Sequence, residues 1–294
     1  MSRHAYLIMA HHRPDLLQLL INALDDTRND LFIHIDKKSS MNENMFACQH
    51  SRLYFIPRMS VAWGGYSQVE CVYALLRFAL DTSTYEYYHL LTGVNYPLWN
   101  QDYIHAFFDN NKGKEFVGFD NSFDCKERLR YYVAFAEFGK LTGMRGKVVQ
   151  ILRYIHKKIQ ILFASDRTKN SDLVFKKGCA YFSITEELVK KVLEEENKLK
   201  PFLLHTISSD EVFMQTIVFN SRFKDSLYNL EDEYDGCMRE LAWPSNLGEV
   251  RSGCNFIDDD LMYLINSKRL FAMKFESPCG ISLINDIKKI RNIK

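Results

Sequence analysis

Several familiar enzyme signatures are missing from this 294-residue chain. It has no G-x-G-x-x-G loop, no Walker A lysine motif, no G-x-S-x-G elbow and no H-E-x-x-H helix, so the usual sequence signals of dinucleotide, P-loop, serine hydrolase and zinc protease sites are lacking. The seven cysteines are scattered singly without a C-x-x-C pair, which disfavours a zinc ribbon and thioredoxin-type chemistry. We interpret them as buried thiols in a reducing cytosol.

An excess of charge of one sign is also lacking. The 38 Lys and Arg residues against 37 Asp and Glu residues give a net charge of +1, so nucleic acid is not expected as a partner. No apolar run is long enough to span a bilayer and no signal peptide is recognisable. We therefore expect a cytoplasmic protein.

The first half of the chain alternates strand and helix patterns. Apolar runs predict strands, and apolar residues at helical spacing predict the helices between them. The predicted strands are Ala5–Ala10, Leu31–Ile35, Leu53–Ile56 and Tyr87–Leu91, and the predicted helices are Pro14–Leu24 and Val69–Leu80. Nearly continuous apolar strands separated by helices indicate an α/β fold with a mostly parallel sheet covered on both faces, in which ligands bind at the carboxyl ends of strands.

The segment at about 140–170 interrupts this pattern. It carries eight Lys or Arg residues against one acid, Asp166, and its apolar residues recur at helical spacing. Such a helix either packs on the core with a solvated basic face or lies on an anionic membrane. After it we expect a strand at Cys179–Ser183 and helices near Glu186–Leu199 and Asp210–Phe219, with a last helix near Asp258–Asn266. The chain is predicted to be one domain, residues 1–294, with this basic helical excursion.

Taken singly, the polar residues have ordinary explanations. Ser208-Ser-Asp-Glu211 has the form of a helix N-terminus with a serine cap. The adjacent His11 and His12 follow a strand, where neighbouring side chains face opposite ways and make poor joint metal ligands. Arg251 and Lys274 are unremarkable cations in isolation.

Taken together, eight segments resemble, in order, the core-2/I-branching β-1,6-N-acetylglucosaminyltransferase family, which includes peptide O-xylosyltransferases (glycosyltransferase family 14). The segments are Ala5–His11, His34–Lys37, Val61–Ser67, Tyr88–Leu98, Gly178–Ser183, Ser208–Glu211, Val250–Cys254 and Leu270–Phe275. The resemblance implies a GT-A-like nucleotide-binding fold and an enzyme that uses a UDP-sugar donor.

The resemblance also implies roles for individual residues. Glu211 matches the catalytic glutamate, and Arg251 and Lys274 match the two cations that hold the donor diphosphate. Four residues match the donor site more loosely: Asp36, Ala10, Trp63 and Gly64. Trp243 falls where acceptor-side aromatic residues occur.

Two departures from the family pattern bear on substrate and location. Asn95 replaces a common aspartate, so this position supplies no acid. The membrane anchor and the disulfides of animal members are not recognisable, which is typical of a bacterial-type cytoplasmic member.

The expected donor is UDP-N-acetylglucosamine, and xylose, glucose and galactose stay open as alternative donor sugars. The acceptor is expected to be a carbohydrate hydroxyl. Because the basic helix could lie on a membrane, two alternatives stay open: the acceptor carbohydrate is linked to a lipid, and the protein contacts the inner face of the membrane.

The chemistry of transfer needs a base and a partner for the leaving diphosphate. One carboxylate, Glu211, suffices for inversion by single displacement. Arg251 and Lys274 can replace the charge of a metal, and the Thr92–Pro97 stretch has no acid, so neither a metal nor another cofactor is expected.

Asp258, Asp259 and Asp260 are interpreted as partners of a helix dipole. Two rival interpretations stay open: a catalytically silent nucleotide-sugar or glycan-binding protein, and a glycoside hydrolase, which would need a second carboxylate.

Overall fold

The computed structural model describes residues 2–122, 124–138, 141, 143–242 and 255–293. Its strands are β1 His4–Ala10, β2 Asn29–Ile35, β3 Arg52–Phe55, β4 Tyr87–Thr92, β5 Tyr96–Pro97, β6 Phe116–Val117, β7 Phe182–Thr185, β8 Arg239–Leu241 and β9 Phe271–Met273. Its α-helices are α1 Pro14–Leu24, α2 Ser67–Thr82, α3 Gln101–Asn110, α4 Lys126–Leu129, α5 Gly143–Leu162, α6 Glu186–Leu203, α7 Phe213–Phe219, α8 Glu233–Cys237, α9 Leu261–Asn266 and α10 Gly280–Arg291.

The main sheet has six strands in the order β3-β2-β1-β4-β7-β6. The first four are parallel, and β7 pairs antiparallel with both β4 and β6. The predicted α/β architecture with a mostly parallel central sheet is therefore confirmed.

Helices cover both faces of this sheet. Along β1, Ala5 and Leu7 pack in one core with α2, whereas Tyr6 and Ile8 pack in another with α1. All four side chains are fully buried. This explains why the strands are apolar at consecutive positions rather than at alternate ones.

A second, smaller sheet has the order β5-β9-β8 and was not predicted. Tyr96 of β5 lies opposite Ala272 of β9, and β9 runs parallel to β8. These strands have only two or three residues, too few for a period-two pattern to be recognised. The small sheet matters because Lys274 directly follows β9.

The second half shows three further departures from the predicted boundaries. The strand expected at Cys179–Ser183 begins at Phe182, and the carbonyl of Cys179 accepts from the side-chain amide of Gln215 in α7 over 2.7 Å. The helix expected from Asp210 begins at Phe213, after a 3₁₀ turn at Ser209–Glu211. The helix near Asp258–Asn266 is present but is not the last one, since α10 follows it.

The basic segment at about 140–170 forms the predicted helix, α5. Two arrangements of this helix were expected, and the structure disagrees with the one in which its apolar residues pack on the core. Only Gly146 and Gln160 of its twenty residues are buried. The expected packing of its apolar residues on the core is therefore wrong, since Val148, Ile151 and Leu152 and the apolar residues that follow them at helical spacing are exposed. The basic side chains other than Arg153 are exposed as well, as a solvated basic face requires.

Within the described ranges, no helix combines the length and the hydropathy that a membrane span requires. Six of the seven cysteines lie in these ranges, and all six are free thiols.

Candidate active site

The carboxyl edge of the parallel strands brings two predicted donor residues together. Ala10 ends β1 opposite Ile35 of β2, and the amide of Asp36 donates to the carbonyl of Ala10 over 2.8 Å. A Cβ built on Gly93, just beyond β4, would lie 3.2 Å from the Cβ of Ala10. The Ala10 side chain is only 4% exposed, so it contributes close packing at this edge.

The buried carboxylate of Asp36 anchors the next loop. One oxygen accepts from the amide of Lys38 over 2.7 Å, and the other accepts from the amide of Val61 over 3.0 Å. The ammonium of Lys38 lies 3.8 Å from the same carboxylate. Asp36 therefore fixes where the loop that carries Trp63 and Gly64 leaves the sheet edge.

This loop, residues 61–65, runs from Asp36 towards the segment that carries Glu211. Gly64 has a φ of +77°, in the left-handed region that favours glycine. Its carbonyl accepts from the amide of Ser208 over 2.8 Å. The side chain of Trp63 is 65% exposed, and it stands on the loop beside this contact. The structure thus joins the predicted donor loop to the predicted catalytic segment.

The segment Ser208–Glu211 is not the capped helix start that its sequence suggests. Ser208 has a φ of 54°, and its side chain makes no capping hydrogen bond. The expected serine cap is therefore wrong, because the backbone of Ser208 is turned into the left-handed region and bonded to Gly64. A 3₁₀ turn follows and presents the Glu211 side chain, which is 41% exposed.

Glu211 has a partner that sequence reasoning missed. The guanidinium of Arg128, from α4, lies 2.7 Å from the Glu211 carboxylate. Nothing in the local sequence links the two residues, which are 83 positions apart. The ion pair fixes the orientation of the carboxylate at the surface of the site.

The neighbouring acid, Asp210, is in a different environment. Gln68 of α2 donates to its Oδ2 over 3.3 Å, and its Oδ1 is sealed from solvent without a hydrogen-bond partner among the described residues. Burial, followed by the charge of Glu211, raises the pKa of Asp210 to about 7. Asp210 therefore tends to hold a proton up to about neutral pH.

Lys274 lies beside a cluster that the sequence did not predict. Its ammonium is 3.6 Å from Glu276, whose other carboxylate oxygen contacts the imidazole of His12. The rings of His11 and His12 are 3.9 Å apart, because β1 ends at Ala10 and the strand alternation assumed for this pair does not apply. The expectation that the two imidazoles face opposite ways is therefore wrong.

The environment of His11 places Lys274 near the strand edge. Burial, followed by the charge of His12, lowers the pKa of His11, while Asp36 and Glu276 act in the opposite direction and Lys274 lowers it further. Asp36, after β2, and Lys274, after β9, are therefore both close enough to act on the charge of His11.

Other sequence predictions have mixed outcomes. Arg251 and Trp243 lie outside the described residues. Asn95 serves the turn after β4, where its side-chain oxygen accepts from the amide of Thr92 over 2.7 Å. Asp260 accepts from the amide of Ile257 over 2.8 Å at the start of a helix, in line with the predicted helix-start role of these acids. In the part of the chain that the structure describes, no group of three or more His, Cys, Asp or Glu side chains is arranged to hold a metal.

Comparison with known families decides the family. Residues 4–246 match the model described as "Branch: Core-2/I-Branching enzyme". The chain belongs to this family. The match spans the main sheet, the 61–65 loop and the Glu211 segment, and the predicted resemblance is therefore confirmed.

Curated relatives of the family are similar over nearly the whole chain. Rat xylosyltransferase 2 is 25% identical over 94% of this chain and 32% of its own length. A human β-1,3-galactosyl-O-glycosyl-glycoprotein β-1,6-N-acetylglucosaminyltransferase is 26% identical over 92% of this chain and 65% of its own length. The chain thus spans about a third of the first relative and about two thirds of the second.

Solved structures show weaker overall similarity. Staphylococcus aureus TarS 1-349 has a TM-score of 0.36 and 13% identity, over 75% of this chain and 56% of that one. Apo mouse xyloside xylosyltransferase 1 has a TM-score of 0.39 and 11% identity, over 95% of this chain and 99% of that one. Both scores are low, and nothing about the site follows from them.

Proposed function

We propose that the protein is an inverting, metal-independent glycosyltransferase that moves a sugar from a UDP-sugar to a carbohydrate hydroxyl. The observation that carries the proposal is the hydrogen bond between Ser208 and Gly64. It joins the donor loop, anchored on Asp36, to the turn that presents Glu211. Family membership supports sugar transfer as the reaction class.

Glu211 is the proposed general base. As the acceptor oxygen bonds to C1 of the donor sugar, its proton passes to the Glu211 carboxylate, and the bond between C1 and the diphosphate oxygen breaks. UDP leaves with the electron pair, and attack opposite to it inverts C1. Asp210 does not compete for this role, since its carboxyl is buried and tends to stay protonated. The ion pair with Arg128 orients the Glu211 carboxylate before the acceptor arrives.

Lys274 is proposed to bind the donor diphosphate together with Arg251. An ammonium acts as a point charge on a phosphate, whereas a guanidinium can bind two of its oxygens at once. The position of Lys274 supports this role, because it directly follows β9 and is partly exposed beside His11. The two cations would stabilise the charge of departing UDP without a metal.

The proposed donor is UDP-N-acetylglucosamine, and the proposed acceptor is a carbohydrate, free or linked to a lipid. Two curated relatives carry acetylglucosaminyltransferase or xylosyltransferase in their names, so UDP-xylose is the first donor to compare. We propose that the protein acts in the cytoplasm, in the biosynthesis of a polysaccharide.

A panel of UDP-sugars tests the proposal. Thermal unfolding with UDP-N-acetylglucosamine, UDP-xylose, UDP-glucose and UDP-galactose identifies the donor, because a ligand at about 100 times its Kd adds about 2.7 kcal/mol of stability. Transfer to simple glycan acceptors is then followed by mass spectrometry in excess EDTA. We expect the glycosylated product to form at the same rate with and without the chelator. Activity that disappears with EDTA and returns with Mn²⁺ would overturn metal independence, and release of free sugar alone would indicate a hydrolase.

A further inference from the structure

The helix α5 is attached to the rest of the protein through polar groups. The Gln160 amide donates to the carbonyl of Tyr132 and accepts from the amide of the same residue, each over 2.8 Å. The Arg153 guanidinium donates to the carbonyls of Ala134 and Phe135 over 3.1 and 2.8 Å. The face of α5 that meets the protein is therefore its polar face.

The opposite face of α5 is apolar and exposed. Seven side chains recur at helical spacing within an arc of about 100°. This apolar stripe consists of Met144, Val148, Ile151, Leu152, Ile155, Ile159 and Leu162, and its members are 42–83% exposed. Amphipathic helices of water-soluble domains turn such a stripe towards the core, and an exposed apolar patch of this extent marks an interaction surface.

The charges beside the stripe all have the same sign. The helix carries Arg145, Lys147, Arg153, Lys157 and Lys158 and no acid. Arg153 binds carbonyls of its own chain, so the cations offered to a partner are the other four. A second copy of α5 would bring like charges together, whereas an anionic surface complements them.

The apolar stripe is connected to the candidate active site. The segment before α5 carries Phe135 and Phe138, which are 50% and 57% exposed. In the same segment, Glu137 accepts from the amide of Ser67 over 3.2 Å. A Cβ on Gly65 would lie 3.0 Å from the Glu137 carboxylate. A surface that binds α5 would therefore lie next to the donor loop.

We propose that α5 docks on an anionic lipid bilayer, with the apolar stripe inserted at the level of the headgroups and the lysines on lipid phosphates. Its twenty residues give a length of about 30 Å, enough to lie in the interface as a surface helix. Apolar burial and attraction to anionic lipid act together, so both are needed for stable binding. The proposal concerns membrane binding and is independent of which sugar is transferred.

Co-sedimentation of the full chain with vesicles tests the apolar stripe. We expect binding to vesicles of phosphatidylcholine mixed with phosphatidylglycerol and little binding to phosphatidylcholine alone. The variant Ile151→Gln/Ile155→Gln should lose about tenfold or more of this binding, since glutamine keeps the helix but removes the apolar contact. The matched control is Met262→Gln/Ile290→Gln, which changes two exposed apolar residues on other helices and should bind like the wild type.

A second pair of variants tests the charge. Lys157→Gln/Lys158→Gln should lower binding by about 30-fold at low salt, from about 1 kcal/mol for each cation, whereas the exposed pair Lys268→Gln/Lys289→Gln should change it little. Circular dichroism checks that each variant is folded.

Absence of vesicle binding at low salt would overturn the proposal. So would equal binding to both kinds of vesicle. A wild-type dimer in analytical ultracentrifugation that Ile151→Gln/Ile155→Gln converts to a monomer would also overturn it, since a second copy would then cover the stripe.

Discussion

Replacing Asp210 with asparagine should stabilise the protein near pH 8 and leave its stability unchanged near pH 4. The Asp210 carboxyl is buried beside Glu211, and one of its oxygens has no partner among the described residues. Asparagine has the shape of the protonated acid, and its carbonyl can still accept from Gln68. The substitution therefore mimics the form of Asp210 that the fold favours.

The sign of the effect follows from proton linkage. Burial raises the folded-state pKa of Asp210 from 3.8 to about 7, so between these values the folded protein holds a proton that the unfolded chain releases. The free energy of unfolding falls as the pH rises through this window and is constant above it. At about 1.36 kcal/mol for each pKa unit, the loss at neutral pH is at most about 4 kcal/mol.

Urea unfolding of the wild type and of Asp210→Asn at about pH 4, 6 and 8 measures this difference. We expect the variant to gain about 2–4 kcal/mol at the highest pH, about two thirds of that at the middle value and almost nothing at the lowest. Glu115 and Glu233, whose pKa values burial also raises to about 7, are present in both proteins and cancel in the comparison. The exposed Asp172→Asn serves as the control. A difference that does not depend on pH, or a variant less stable at the highest pH, would refute the reasoning.

Two other substitutions test the site. Gly64→Ala should cost about 1–2 kcal/mol of stability because of its φ of +77°, and it should also lower transfer by disturbing the contact with Ser208. Gly113→Ala is the matched control, because Gly113 has a φ of +79° and an added Cβ would have no neighbour within 4 Å. Urea unfolding should show a similar loss of stability for this variant, whereas its transfer activity should equal that of the wild type. Lys274→Met should weaken UDP binding, measured by calorimetry, by about tenfold or more, because a charged hydrogen bond is lost. The control variant Lys268→Met should bind UDP like the wild type. Equal UDP affinities of Lys274→Met and the wild type would contradict the diphosphate role of Lys274.

The sequence was sufficient to predict the parallel sheet and the residues at its carboxyl edge. Strands such as β1 and β2 are long and apolar throughout, and their pairing places Ala10 and Asp36 side by side by geometry alone. The short strands of the second sheet carry no such pattern, so the surroundings of Lys274 could not be predicted.

Contacts between distant segments are what sequence reasoning missed. Arg128 meets Glu211, and His12 meets Glu276, through the fold rather than through any local spacing. The serine cap in the Ser208–Glu211 segment was predicted wrongly, because a tertiary hydrogen bond from Ser208 to Gly64 holds the backbone in the left-handed region. The helical period of α5 was predicted correctly, but periodicity does not reveal which face of a helix meets the core.

The central claim is that Glu211 takes the acceptor proton, and transfer by Glu211→Gln tests it most directly. Once the donor is known, single-turnover transfer and UDP affinity are measured for the wild type, for this variant and for Glu194→Gln as an exposed control. We expect the rate of Glu211→Gln to fall by roughly 10²–10⁴ with UDP affinity unchanged, because glutamine keeps the shape of the side chain but cannot accept the proton. Transfer by Glu211→Gln at the wild-type rate would contradict the account.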